Sequence, residues 1–272
     1  MSQIGIGVIG CGARARNVAR QTAQQDERLV ITALHDPSEE AIRKARAFAP
    51  AEATVHDSAE ALAQDPAVQW VIVGSPNKQH RAHVVAALEA GKDVFCEKPL
   101  ATTFEDCLAI REAQQRTGRR VFFGLTLRYS PHFAKIRELI EQGAIGEVLS
   151  MEFNETLDFN HGGFIAQDWR RWHELSGGHL LEKCCHDIDL AHWFLDSLPT
   201  RVASFGGCEF FRPDQAHHRD RLGTDPWHNM PAYGGWGPTG VDPFGDDKDI
   251  VDQQVAIMEF ASNAGATFHT NL

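Results

Sequence analysis

Apolar and polar positions change rhythm about halfway along this chain. In the first half, short apolar runs at residues 4–9, 29–34, 68–73, 93–96 and 121–124 alternate with helical spacing at 39–49, 59–63, 80–90 and 104–117. Such alternation predicts right-handed βαβ crossovers and a parallel sheet. Gly91 and Gly118 stand where helix C-terminal turns need a left-handed residue. After a helix at 132–142 and a glycine turn at 143–146, strand patterns dominate at 148–155, 201–211 and 251–260, with a last hairpin strand in 265–272. One helix, about 178–195, interrupts them. The reading is an α/β chain: a parallel sheet with helical crossovers in the first half, then an antiparallel or mixed sheet with one helix packed on or beside it. Residues 212–248, rich in Gly, Pro, Asp and His, are expected to form a long functional or mobile excursion.

Composition narrows the class. The 272 residues carry 26 basic and 37 acidic side chains, a formal charge of −11, which argues against nucleic acid or an anionic membrane as partner. No apolar run reaches the length of a membrane span, and no basic region precedes the first one, which reads as a strand and not a signal peptide. Six cysteines form no CxxC pair, so reduced thiols in a cytoplasmic setting are the expectation.

The first strand runs directly into Gly10-Cys11-Gly12-Ala13-Arg14-Ala15. This Gly-x-Gly-x-x-Ala turn suits a dinucleotide. Gly10 permits the tight turn, Gly12 lets the backbone approach a pyrophosphate, and Ala15 lets helix and strand pack closely. The helix from Ala13 then aims its free N–H groups at the phosphates, with Arg14 beside them. Asp36, ending the second strand, can accept both hydroxyls of an adenine ribose and repel a 2′-phosphate, so NAD is favoured over NADP; a cap on the helix after Pro37 is the alternative role, and one carboxylate can serve both. Ser75, Pro76, Asn77 and His80 follow the third apolar run along the cofactor's expected path, where a turn-and-cap role is equally open.

Glu97-Lys98-Pro99 ends a parallel strand at the edge where open α/β sheets bind ligands. The Lys98 ammonium can hydrogen-bond a substrate hydroxyl as it loses its proton. Further on, Glu182, His186 and Asp189 fall at helical offsets 0, 4 and 7, one narrow stripe. A histidine with an ordinary pKa of about 6.5, flanked by carboxylates, can accept a proton at neutral pH. A zinc set of Cys184, Cys185, His186 and His192 is disfavoured because adjacent cysteines point about 100° apart on a helix, and no metal is expected. Arg128 and Tyr129 line a cleft or pair at the domain junction. Trp169 and Arg170 combine a flat ring with a guanidinium, which suits sugars or carboxylates, with surface packing an equally open role. His217, His218 and His228 receive no role.

Together these residues resemble the Gfo/Idh/MocA family of oxidoreductases, named after glucose–fructose oxidoreductase and inositol dehydrogenase. The likeness runs from the glycine turn through Glu97-Lys98-Pro99 and Arg128-Tyr129 to Gly177-Gly178, His186 and Asp189, and on to Asp252-Gln253-Gln254-Val255. It implies an N-terminal Rossmann domain (residues 1–125) with a parallel sheet, a C-terminal α+β domain (126–272) with an open, mostly antiparallel sheet, and NAD(P)-dependent oxidation or reduction of sugars and cyclitols. The family's catalytic lysine falls on Lys98 and its histidine on His186, both expected at one nicotinamide ring; Glu182 stands where the family usually has aspartate. Members usually continue through further strands and a helix, so the expectation is a shortened chain or a sheet completed by another subunit. Two alternatives share the fold: a redox glycosidase and a weakly catalytic NAD-binding subunit. The family's habit of associating through its open sheet face implies a homo-oligomer.

Overall fold

The structure is a computed structural model that describes residues 3–225, 229–234, 240–245 and 247–272; His228 lies outside the described residues. Its contacts divide into two units, Met1–Gly124 and Leu125–Leu272.

In the N-terminal unit, β1 (Ile4–Ile9), β2 (Leu29–His35), β3 (Thr54–Val55), β4 (Trp70–Val73), β5 (Asp93–Cys96) and β6 (Val121–Phe123) form one sheet of order β3-β2-β1-β4-β5-β6. Every pairing is parallel. The helices α1 (Ala13–Gln25), α2 (Glu39–Ala45), α3 (Ala59–Gln64), α4 (His80–Glu89) and α5 (Phe104–Thr117) are the crossovers. Two apolar clusters flank the sheet, one built on Val71, Val73, Val84, Leu88 and Ile110, the other on Val8, Ala15, Ile31 and Leu34. Each fully buried aliphatic side chain stabilises the fold by about 1.5–3 kcal/mol. The strand order reverses between β1 and β4, so the crevice at the carboxyl ends of those two strands is where such a sheet takes a ligand. Strand β3 was invisible to periodicity because it contributes only two exposed residues.

The C-terminal unit opens with a 3₁₀ turn (Thr126–Tyr129) and α6 (Pro131–Glu141). Strands β7 (Ser150–Thr156), β8 (Pro199–Gly207), β11 (Gln253–Phe260) and β12 (Gly265–Asn271) form a sheet of order β7-β12-β11-β8. Two pairings are antiparallel and β7–β12 is parallel. Ala256, Met258, Phe260, Ala266 and Phe268 line its covered face, packed with Leu180, Ile188, Ala191 and Leu195.

Two expectations need correction here. Helices are not scarce between the strands: α7 (Phe159–Gln167) and α8 (His173–Ser176) precede the glycine pair. The helix expected as one piece is two, α9 (His179–Glu182) and α10 (Cys185–Leu195), broken at Lys183 and Cys184. The excursion also differs from an open loop. Its described part holds α11 (His217–Leu222) and a two-residue ladder of β9 (Thr224–Asp225) with β10 (Met230–Pro231). Phe211, Phe244 and Tyr233 are buried together, and His218 stacks on Phe210. Asp252, itself buried, fixes the entry to this segment by accepting the N–H groups of Glu209, Phe210 and Phe211 at 2.9, 2.8 and 2.7 Å.

Candidate functional site

The parallel sheet delivers four loops to one edge of the N-terminal unit. Gly10 has φ +82, and a Cβ there would stand 2.4 Å from the Ser75 nitrogen, so no other residue fits. Gly12 differs: its φ of −62 suits any residue, and an added Cβ would meet nothing within 4 Å. The empty side of Gly12 lies at the start of α1, which has no side-chain cap and no acidic residue in its first turn. By contrast α2, α3 and α5 are capped by Ser38, Ser58 and Thr103. Uncapped N–H groups beside open space form an anion cradle. Ala15 is buried against Gly74, where a Cβ would come within 2.6 Å of the Ala15 Cβ.

Asp36 accepts two backbone N–H groups. Its Oδ2 accepts the Cys11 N–H at 2.7 Å and its Oδ1 the Ser38 N–H at 2.8 Å, which ties the glycine turn to the loop after β2. An ionised carboxylate has about four lone-pair positions, so two remain for ribose hydroxyls. The helix-cap role belongs to Ser38. Asp36, Glu39 and Asp57 line one groove of 340 Å³ together with Pro37, Ile42, Val55 and His56. Three carboxylates in that groove disfavour a 2′-phosphate. The turn, the uncapped helix and this groove fit a dinucleotide. Between the glycines, burial and the Asp36 charge push the Cys11 thiol up to about 12, which keeps it protonated.

At the neighbouring strand end, Arg14 Nε donates to Glu97 Oε1 at 2.9 Å, joining α1 to the loop after β5. Glu97 is buried and Lys98 half-buried beside it. In the loop after β4, Ser75, Asn77 and His80 are all buried, and their side chains shape the edge. Ser75 Oγ lies 2.9 Å from His83 Nδ1, and the two His80 ring nitrogens face the carbonyl oxygens of Pro99 and Ser75. Pro76 opens the 3₁₀ turn Asn77–Gln79.

The C-terminal unit holds the second group of predicted residues. His186 sits in the first turn of α10, while Glu182 ends α9 on the far side of the break. The single-stripe arrangement of Glu182, His186 and Asp189 is therefore not realised by a continuous helix. Asp189 is taken by Arg128, whose Nε and Nη2 donate to its two oxygens at 2.7 and 2.6 Å. The Arg128 guanidinium also lies 5.4 Å from the Trp193 ring centroid. This pair anchors α10 to the Thr126–Tyr129 turn, so Arg128 and Asp189 brace each other. Tyr129 is 70% exposed.

Glu182 is buried, and Arg170 Nε donates to its Oε1 at 2.9 Å. Arg170 also bonds Asp168 and lies over the Trp169 and Phe164 rings at 4.3 and 5.2 Å. Burial pushes the Asp168 carboxyl up, with Arg170 opposing it. Trp169 and Arg170 thus belong to a clamp on Glu182. Sequence reading missed Asp168, Glu155, Lys183 and Asp187. Asp168 directly precedes the aromatic pair and could have been read as a turn cap. Lys183 meets Glu155 on β7, 28 residues away, and no local signal announces that pair. Asp187 is pushed up from 3.8 to about 6 by burial and by the Glu155 charge. Cys184 is buried beside Thr270, its thiol pushed up to about 12 by burial, and among the described residues no group of three or more metal-ligating side chains is found.

The fold and the edge chemistry define a class, the proteins with a dinucleotide-binding Rossmann domain. Residues 4–125 match the model of the oxidoreductase family with NAD-binding Rossmann fold, and residues 133–272 match the GFO/IDH/MocA C-terminal domain. The chain belongs to the Gfo/Idh/MocA family. An inositol 2-dehydrogenase of Gluconacetobacter diazotrophicus is 35% identical over 198 residues, 71% of this chain and 55% of that protein. A 2,7-anhydro-N-acetylneuraminate hydratase of Escherichia coli is 32% identical over 204 residues, 75% of this chain and 53% of that one. The apo scyllo-inositol dehydrogenase of Lactobacillus casei superposes with a TM-score of 0.76 at 19% identity, over 98% of this chain and 68% of that one. The chain spans about half the length of these curated relatives.

Proposed function

We propose that the chain is an NAD-dependent oxidoreductase acting on a secondary alcohol of a sugar, cyclitol or related polyol. The observation that carries this is the N-terminal edge. An uncapped helix opens beside the open face of Gly12, and Lys98 stands at the end of a strand in the same parallel sheet. Gly10, Gly12, Ala13 and Arg14 would hold the pyrophosphate and Asp36 the adenine ribose. The bound nicotinamide supplies the hydride acceptor. Lys98 orients the substrate hydroxyl and favours its oxygen as the proton leaves. His186 accepts that proton. Glu182, its charge met by Arg170, positions a neighbouring hydroxyl or the imidazole.

Inositol dehydrogenases among the relatives support the substrate class. The hydratase relative favours a second reading, in which water is added or removed with no net change in NADH. Six free cysteines support a reducing, cytoplasmic setting, and the exposed apolar face of the C-terminal sheet supports self-association.

The test is NADH absorbance against a panel of sugars and inositols, with product analysis for reactions that leave absorbance unchanged. General-base assistance contributes about 10²–10⁴-fold, so His186→Ala should lower turnover by that order and leave NADH affinity intact. Unchanged turnover in that variant would remove the assigned role. A protein that fails to bind NADH would remove the whole reading.

A further inference from the structure

His80 begins α4 and is 1% exposed. Its Nδ1 lies 2.7 Å from the carbonyl oxygen of Pro99, and its Nε2 lies 2.9 Å from that of Ser75. Those carbonyls belong to the loops after β5 and β4, adjacent strands of the sheet. One imidazole therefore bridges the two loops at the ligand edge, and one of its partners directly follows Lys98. A neutral imidazole carries one N–H and can donate to only one of these oxygens. Burial, with the Lys98 charge adding to it, pushes the His80 pKa down against the pull of the two carbonyls, which favours the neutral ring. The shorter contact favours the Pro99 side as the one that receives the proton, which leaves the ring's lone pair facing the Ser75 oxygen.

We propose that His80 is a positioning residue: its Nδ1–H holds the Pro99 carbonyl and thereby fixes the backbone that presents Lys98. The role given to Lys98 rests on the function proposed above; the tether itself does not.

Two amide side chains separate the contacts. An asparagine amide stands close to the Nδ1 position and a glutamine amide close to Nε2. His80→Asn should keep kcat within about threefold, whereas His80→Gln and His80→Ala should lose about 10–100-fold, because displacements near 1 Å cost about that much in rate. NADH affinity should stay within about threefold in all three, since the pyrophosphate cradle lies elsewhere on the edge. Two readouts need no turnover. Long-range ¹H–¹⁵N spectra of the wild-type chain should show His80 neutral with the proton on Nδ1. Hydrogen exchange across residues 97–101 should quicken in the Gln and Ala variants and not in the Asn variant.

A proton on Nε2, or protection of 97–101 by Gln equal to that by Asn, overturns the proposal. Should the wild-type chain bind NADH and turn over no substrate, the functional reading fails while the tautomer and exchange results still decide this one. Should a variant not fold, the wild-type spectrum decides alone.

Discussion

Two glycines two positions apart answer to different constraints, and substitution distinguishes them. Gly10 is required by the fold, since its φ is positive and the Ser75 backbone occupies the space a side chain needs. Gly12 is required by nothing within the apo protein. Gly12→Val should therefore leave the melting temperature within about a degree or two of wild type, yet weaken NADH binding at least about tenfold, or ~1.4 kcal/mol. Gly10→Ala should lower the melting temperature outright. Calorimetry paired with NADH fluorescence titration reads both, and a Gly12→Val protein that binds NADH normally would sever the turn from the cofactor. The positive φ of Gly10 was legible in the sequence because a tight turn constrains its own backbone. The roles of His80, Arg128 and Arg170 were not. Each is defined by an acceptor far along the chain: Asp189 lies 61 residues from Arg128, and Pro99 lies 19 from His80.

At the scale of elements, caps and breaks matter more than propensity. Periodicity gave α5 its observed span, and the glycine turn placed the start of α1 at Ala13. It failed at α9 and α10 because the 3.6-residue phase carries on across Lys183 and Cys184 although the backbone does not. The break sets Lys183 against Glu155 and leaves Asp187 in the first turn of α10, with one buried carboxylate oxygen unpartnered. Its pKa rises from 3.8 to about 6, so the folded chain holds this proton more tightly than the unfolded one. Below pH 3.8 both states are protonated and the group is neutral to stability. As pH rises through that window, ionisation increasingly favours the unfolded state. Asp187→Asn should thus raise the melting temperature at pH 8 and leave it unchanged near pH 3.5. An equal gain at both values would show that packing, and not charge, sets the effect.

At the scale of the whole molecule, the C-terminal sheet leaves one face uncovered. Phe205 is 79% exposed, and its register partner Val255 and the adjacent Ile257 are 40% and 56% exposed. Exposed apolar area on this scale marks an interaction surface. The proposed self-association predicts that sedimentation velocity finds an oligomer. Because each copy carries −11, its affinity should rise with added salt. Phe205→Glu with Ile257→Glu should give a monomer of unchanged melting temperature. A wild-type chain that stays monomeric at tens of micromolar would reject the interface.

The sequence by itself determined the parallel sheet, its glycine turn, the uncapped first helix and the position of Lys98 at a strand end. Each follows from spacing within a few residues, where backbone geometry leaves one solution. Only the tertiary structure decided that Glu182 is clamped by Arg170, that Asp189 is a brace for Arg128, that His80 bridges two loops, and that the excursion packs an aromatic core of its own. In those cases a charged or polar side chain reaches its lowest free energy by finding a partner in space. Which partner that is depends on how distant segments meet, and no local pattern encodes it.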